Sequence, residues 1–211
     1  MLDSRLMNAL RNQRIALLVL SLSLICFLLI AFLRSSFSAV DSSVNSWAAS
    51  IQSTSFTQIA KIIHYLFDTT ALSAITLLIA VYLLYKRYRK YSLLLVGSML
   101  GDLVIVEILK GSFHSSRPLN GIMQETGFSF PSGHATAAVV LAGLLTYLVW
   151  QNFKSRNVKI LSGVLFILIS LVVGFSRIYL NVHWLSDVLG AYSLGVFWLI
   201  FSIVAFRLKY A

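Results

Sequence analysis

Six long apolar runs, separated by short polar stretches, dominate the chain. They cover about residues 15–33, 69–85, 91–109, 135–150, 160–175 and 184–206. A bilayer core of about 30 Å needs roughly 20 apolar residues per helix, and the runs are of that order. The pattern predicts an all-α fold, a single domain over 1–211 built as a bundle of six transmembrane helices. The first run follows a basic start, as in a secretory signal. It is too long for a signal core, however, and no small-x-small cleavage pattern follows it, so it reads as a retained span. Between spans one and two, Val44, Trp47, Ala48 and Ile51 recur at helical spacing, as do Ile59, Ile62, Ile63 and Leu66, among Ser, Thr, Asn and Gln. This predicts one or two short amphipathic helices at the membrane surface.

Composition sharpens the picture. Hydrophobic residues make up 58% of the chain and charged residues 11%, against about 45–50% and about 25% in an ordinary soluble domain. That excludes a disordered chain and points to a multi-pass membrane protein. The formal net charge is +10, and 12 of the 17 Lys and Arg fall on one side of the expected bundle. They are Arg5, Arg11 and Arg14, then Lys86, Arg87, Arg89 and Lys90, then Lys154, Arg156 and Lys159, and finally Arg207 and Lys209. The positive-inside rule places that side, with both termini, in the cytoplasm, in a plasma or inner membrane. The loops at 34–68, 110–134 and 176–183 then face outward, and the amphipathic helices are extracytoplasmic. A nucleic-acid binder would gather its charge on a soluble face, so no nucleic-acid partner is expected. The single cysteine, Cys26, lies in span one. Only two prolines occur, Pro118 and Pro131. Both lie in the loop between spans three and four, where they mark rigid, non-helical backbone.

The outward loops hold an unusual set of side chains. One carries Lys110, Arg117 and Pro118, then Pro131, Ser132, Gly133 and His134; the next carries Ser176, Arg177, His183 and Asp187. Ionisable groups at the ends of spans are functional candidates by default. Three cations can neutralise a phosphate, arginine with planar bidentate donors. Ser132 and Gly133 precede a helix, where free N–H groups and the dipole favour an anion. His183 and Asp187 are four apart and would share a helix face. A carboxylate on one imidazole nitrogen frees the other as nucleophile or base, and His134 could protonate a leaving oxygen. Such a set makes a phosphoryl-transfer site without a metal. A zinc site would want grouped Cys and His, and no such grouping is visible. His64 and His114 read as background histidines, and Ser176 as a helix cap or a minor phosphate contact.

The pieces K-x6-R-P, P-S-G-H and S-R-x5-H-x3-D, in this order, resemble the signature of the type 2 phosphatidic acid phosphatase superfamily, with no departure at any motif position. The resemblance implies a metal-free lipid phosphatase with no cofactor. His183 would attack phosphorus to form a phosphohistidine, Asp187 would orient it, and His134 would protonate the leaving group. Lys110, Arg117, Ser132, Gly133 and Arg177 would bind phosphoryl oxygens. Membrane delivery of a head group suggests a lipid phosphate or diphosphate. The small bacterial members it resembles suggest undecaprenyl diphosphate, phosphatidylglycerophosphate or phosphatidic acid. A lipid phosphotransferase would use the same residues. A transporter would want ionisable groups through the depth of the bilayer and often a repeat, and only Asp102 lies deep. Glu107, three before Lys110, could hold that lysine in place.

Overall fold

The computed structural model describes residues 4–210, with side chains from residue 13 onward; Arg5 and Arg11 of the expected cytoplasmic charge lie outside the described side chains. The elements are α1 (Ser4–Phe32), a 3-10 turn (Arg34–Phe37), α2 (Ser38–Ser50), α3 (Thr54–Leu66), α4 (Thr69–Tyr85), α5 (Arg89–Phe113), α6 (Gly133–Asn152), α7 (Arg156–Tyr179) and α8 (Leu185–Tyr210). No strand occurs among the described residues.

Among the described residues, five helices are long and apolar enough to cross a membrane: Gln13–Phe32 of α1, and α5, α6, α7 and α8. The sixth crossing is less regular. With 17 residues, α4 rises about 26 Å, short of a core of about 30 Å. It meets α3 at 55°, with Asp68 between them accepting from Ala71 N–H at 2.8 Å as the N-cap of α4. Only together do α3 and α4 satisfy the length of a span.

The bundle is organised around α6. Its residues from Ala135 to Leu144 are all buried, and it packs on α5, α7 and α8, while α1 lies on α8 and α4 on α5. Without a hydrophobic effect between helices in lipid, close approach of small residues does this work. Leu199 of α8 sits over Gly143, and Val139 of α6 over Gly195. Of the Gly97-x3-Gly101 pair, only Gly101 is a contact. The Trp198 ring occupies the place of its missing Cβ and donates Nε1–H to the Ser98 carbonyl at 2.8 Å. Leu17 and Leu18 of α1, Leu77 and Leu78 of α4 and Leu161 and Leu171 of α7 stay exposed, as lipid-facing residues would.

The surface helices differ from each other. On α2, Val44 and Ala48 pack inward against Ile178, Val188 and Ala191. On α3 the apolar residues Phe56, Ile59, Ile62 and Leu66 face outward, and the small and polar side, with Ala60 and His64, faces the protein. The turn between them is tied down by Gln52 Nε2 and Ser53 N–H, which donate to the carbonyl and hydroxyl of Tyr179 at 2.9 and 2.8 Å. Helix direction alternates along the bundle. The ends of α5 and α7 and the starts of α6 and α8 therefore meet at one end, with Lys86 to Lys90, Lys154 to Lys159 and Arg207 to Lys209 at the other.

Candidate active site

The loop over 114–132 is closed by backbone and by one arginine. Ser129 N–H donates to the Ser115 carbonyl at 2.8 Å, and Ile122 N–H to the Leu180 carbonyl at 2.9 Å. Arg117 donates Nε–H to the Gly127 carbonyl (3.1 Å), Nη2 to the carbonyls of Thr126 (3.2 Å) and Phe128 (3.3 Å), and Nη1 to that of Val182 (3.0 Å). Its remaining bond goes from Nη1 to His183 Nε2, at 3.2 Å. A guanidinium has five N–H donors and no acceptor, so Nε2 is the accepting nitrogen. Four N–H groups go to backbone carbonyls, three of them in this loop, and the fifth lies on His183 Nε2.

His183 occupies the turn before α8, not the helix itself. The expected shared helix face is thus corrected: Asp187, third residue of α8, reaches back over the turn. Its Oδ2 accepts from Trp184 N–H at 2.9 Å, half of a capping box. The same atom lies 3.3 Å from His183 Nδ1 and accepts from Ser129 Oγ. Oδ1 accepts from Arg34 Nη2 at 2.9 Å. Asp187 is fully buried, and four donors meet its charge. Nδ1–H therefore faces Asp187, and Nε2 carries the lone pair, which accepts from Arg117 Nη1.

Burial pushes the His183 imidazole down to about 4; Asp187 pulls it up, and Arg177 and Arg117 push it down again. The ring is neutral at pH 7. Histidine ring chemical shifts followed through a pH titration should show His183 neutral at pH 5.5 and charging only near 4; a midpoint near the unperturbed value of about 6.5 would mean that burial does not set it. The sign for stability follows. Below about 6.5 the unfolded chain takes up this proton while the fold refuses it. The contribution is complete above that pH and is lost on acidification towards 4.

Arg177, in the last turn of α7, is fully buried. Nη2 donates to Glu125 Oε1, and Nη1 to His64 Nδ1 at 2.7 Å. Glu125 Oε2 is 3.9 Å from Arg117 Nη2. Burial raises the Glu125 carboxyl, but Arg177 and Arg117 outweigh it and hold the group below the usual carboxylate range. The His64 ring stacks on His134 with centroids 4.9 Å apart. Lys110 reaches the start of α6, where a Cβ on Gly133 would lie 3.8 Å from its Nζ, and it donates to Glu107 at 3.1 Å. Ser132, the N-cap of α6, donates its N–H to the Asp187 carbonyl at 3.3 Å.

Four buried side-chain polar atoms among the described residues lack a hydrogen-bond partner: Thr76 Oγ1, Ser132 Oγ, His134 Nε2 and Arg177 Nε. An orphaned buried polar group costs about 1–3 kcal/mol. Three of the four belong to this cluster, two of them beside a helix N-terminus, where an anion is favoured. A phosphoryl group would satisfy such donors. A cavity of about 680 Å³ leads away from His183, His134, Arg117 and Lys110 between α4 and α5, along Leu72, Leu77, Leu100 and Leu103.

The fold thus draws all eight sequence-level candidates into one contact network. Ser176 stands aside, donating to the Val173 carbonyl of its own helix, and His114 packs on Phe128 at the end of α5. Four members were not read from the sequence as part of the site: Arg34, His64, Glu125 and Ser129. Arg34 is 153 residues from Asp187, and no local pattern could pair them. Glu125 and Ser129 lie between two motif pieces, and their polarity there was the available signal. His64, Glu125 and His134 also place ligand atoms within 4.8 Å of one another, a grouping that the sequence concealed. Arg177 already donates to two of the three, so a guanidinium takes the place a metal ion would need, and the donor set suits an anion.

Comparison with known proteins places the family and the fold. Residues 91–210 match the sequence profile of the PAP2 superfamily. Phosphatidylglycerophosphatase B of Bacillus subtilis is 37% identical over 101 residues, 45% of this chain and 48% of that protein. An undecaprenyl-diphosphatase of Sulfolobus acidocaldarius is 34% identical over 127 residues, 55% of each. The chain spans about half the length of these curated relatives. The crystal structure of a transmembrane PAP2-type phosphatidylglycerolphosphate phosphatase from Bacillus subtilis superposes with a TM-score of 0.82 at 25% identity, over 91% of this chain and 97% of that one.

Proposed function

The chain belongs to the PAP2 superfamily, and from that premise we propose that it is a membrane phosphatase that hydrolyses a lipid phosphate or diphosphate through a phosphohistidine. The observation that carries this is the orphaned trio Ser132 Oγ, His134 Nε2 and Arg177 Nε beside a histidine whose Nε2 lone pair is held only by Arg117. Phosphoryl oxygens take the trio, Lys110 and the Arg117 N–H that otherwise rests on Nε2. The Nε2 lone pair attacks phosphorus, and the bond to the lipid oxygen breaks as that oxygen takes a proton from His134; burial and Arg177 keep the His134 imidazole neutral in the free protein, so the proton is one that the phosphate monoester brings and His134 relays. Asp187, kept anionic by Arg34, Ser129 and Trp184 N–H, stabilises the charge that forms on His183. In the second half-reaction neutral His134 takes a proton from water, whose oxygen displaces Nε2 and releases phosphate.

The cavity between α4 and α5 supports a lipid substrate, because its leucine-lined part can take hydrocarbon while the head group meets the cations. The test is phosphate release by detergent-purified protein from phosphatidic acid, phosphatidylglycerophosphate and undecaprenyl diphosphate, with chelator present. Release from at least one is expected. No release from any would end the enzyme assignment, and activity lost to chelator would end the metal-free mechanism.

The reading includes an orientation, with both termini in the cytoplasm and the site outside. The basic clusters at the opposite end of the bundle support it. Leu119 is fully exposed in the site loop. In a Cys26→Ser background, Leu119→Cys should react with an impermeant thiol reagent in intact cells; reaction only after lysis would invert the topology.

A further inference from the structure

Two buried polar groups in the cavity serve neither the fold nor the reaction just described. Asp102 of α5 is 4% exposed and Thr76 of α4 is 8% exposed, and both line the cavity between those helices. The described residues include six acids. Asp41 accepts from Ser186, Asp68 caps α4, Glu107 pairs with Lys110, Glu125 with Arg177, and Asp187 with Arg34. Asp102 alone has no charged or hydrogen-bonding neighbour. Thr76 is equally unusual. A buried helical threonine ordinarily turns its hydroxyl onto the preceding turn, as Thr136 does onto the Ser132 carbonyl at 2.9 Å, but Thr76 Oγ1 has no partner. Ionisable groups are retained at such depth for function, since leucine and valine would fill both positions without an orphaned polar atom.

Their depth narrows what they could meet. Asp102 is eight residues before Lys110, about 12 Å along the axis of α5. Ser92 Oγ donates to the Ala80 carbonyl at 3.1 Å, which sets α4 and α5 antiparallel with residue 80 level with 92. By that register Thr76 is level with about residue 96, a further 9 Å or so below Asp102. The cavity therefore offers an acceptor and then a hydroxyl beneath the phosphate site, amid leucines. A polyprenyl chain has nothing to give them. A glycerolipid has hydroxyl and ester oxygens between phosphate and hydrocarbon, most of all when a further glycerol separates the terminal phosphate from the acyl esters. We propose that Asp102 and Thr76 are specificity-determining residues that hydrogen-bond the oxygenated backbone of a glycerolipid phosphate, and so select it over a polyprenyl diphosphate. This rests on the lipid phosphatase reading and deepens it.

The test compares Asp102→Leu, Asp102→Asn and Thr76→Val with the parent protein. Phosphate release is measured from phosphatidylglycerophosphate and undecaprenyl diphosphate, and thermal stabilisation by phosphatidylglycerol is read beside it. Asp102→Leu and Thr76→Val should each lower kcat/KM for the glycerolipid about tenfold and keep the polyprenyl substrate within about twofold. Asp102→Asn should restore part of the loss, because an amide still hydrogen-bonds. Phosphatidylglycerol should raise the Tm of the parent and not of Asp102→Leu. Equal loss on both substrates would reduce the pair to a structural role, and no loss on either would remove it. A parent that hydrolyses no lipid yet is stabilised by phosphatidylglycerol only with Asp102 in place would sink the enzyme reading and leave this one standing; no such stabilisation would sink both.

Discussion

His183→Ala should leave phosphate release from any lipid at least about 10⁴-fold below the parent, the scale on which loss of a covalent nucleophile is felt. No neighbour can replace it. The only imidazoles close to the cluster are His64, whose Nδ1 accepts from Arg177 at 2.7 Å, and His134, stacked against it. Glu125 Oε1 lies 3.5 Å from His64 Nδ1, but that nitrogen accepts from Arg177, so the ring proton sits on Nε2 and no lone pair remains there to attack. The fold should survive, since Asp187 keeps its bonds from Arg34 Nη2, Ser129 Oγ and Trp184 N–H. Two measurements belong together: steady-state phosphate release, and acid-labile phosphate on the quenched protein. Both should vanish while the Tm in detergent moves little. Retention of a tenth of the activity would mean that His183 is not the nucleophile.

Arg177→Met should lower both activity and stability, for separable reasons. The guanidinium is fully buried and holds Glu125 and His64. Without it the Glu125 carboxylate keeps Arg117, at 3.9 Å, and His64, at 3.5 Å, neither as close as Arg177, and breaking a buried pair from one side costs about 3–5 kcal/mol. His64 also loses its anchor under His134. We expect kcat/KM to fall about 10²–10³-fold, as when one transition-state donor is removed, with a clear drop in Tm. The double variant Arg177→Met with Glu125→Gln separates the two effects. It should recover much of the Tm, because no buried charge is stranded, and none of the activity, because the phosphate donor is still missing. Recovery of both would make Arg177 purely structural.

How much of this was legible varies from element to element. The second apolar run, 69–85, is the helix Thr69–Tyr85 residue for residue, because backbone in lipid must satisfy its own hydrogen bonds and an unbroken run rich in Leu, Ile and Ala does so as a helix. Its partnership with α3 was not legible. A 55° joint depends on how Ala60 and the Phe67–Asp68 break meet the bundle, and no periodicity encodes an angle. On α3 the hydrophobic spacing was visible, but its meaning turned round. The isoleucines face outward, and the opposite side carries His64 onto Arg177. Asp102, whose depth in its run suits a buried, hydrogen-bonded helix contact, has no such partner among the described residues and lines the cavity.

The sequence by itself determined the things that depend on solvent and on order along the chain. Apolar length prescribes helices that span a membrane. The alternation of basic and motif-bearing loops prescribes that Lys110, Arg117, His134, Arg177 and His183 share one end. The spacing from His183 to Asp187 keeps them in reach whether a helix or a capping turn lies between. Only the tertiary structure decided which groups meet across more than a loop: Arg34 on Asp187, Glu125 between two arginines, His64 beneath His134. The reason is physical. A covalent neighbour is held close at no further cost, whereas a contact across 153 residues exists only if the packing of α1, α6 and α8 brings both ends to one place. Leu199 seated at Gly143 and Val139 at Gly195 record how closely α6 and α8 lie.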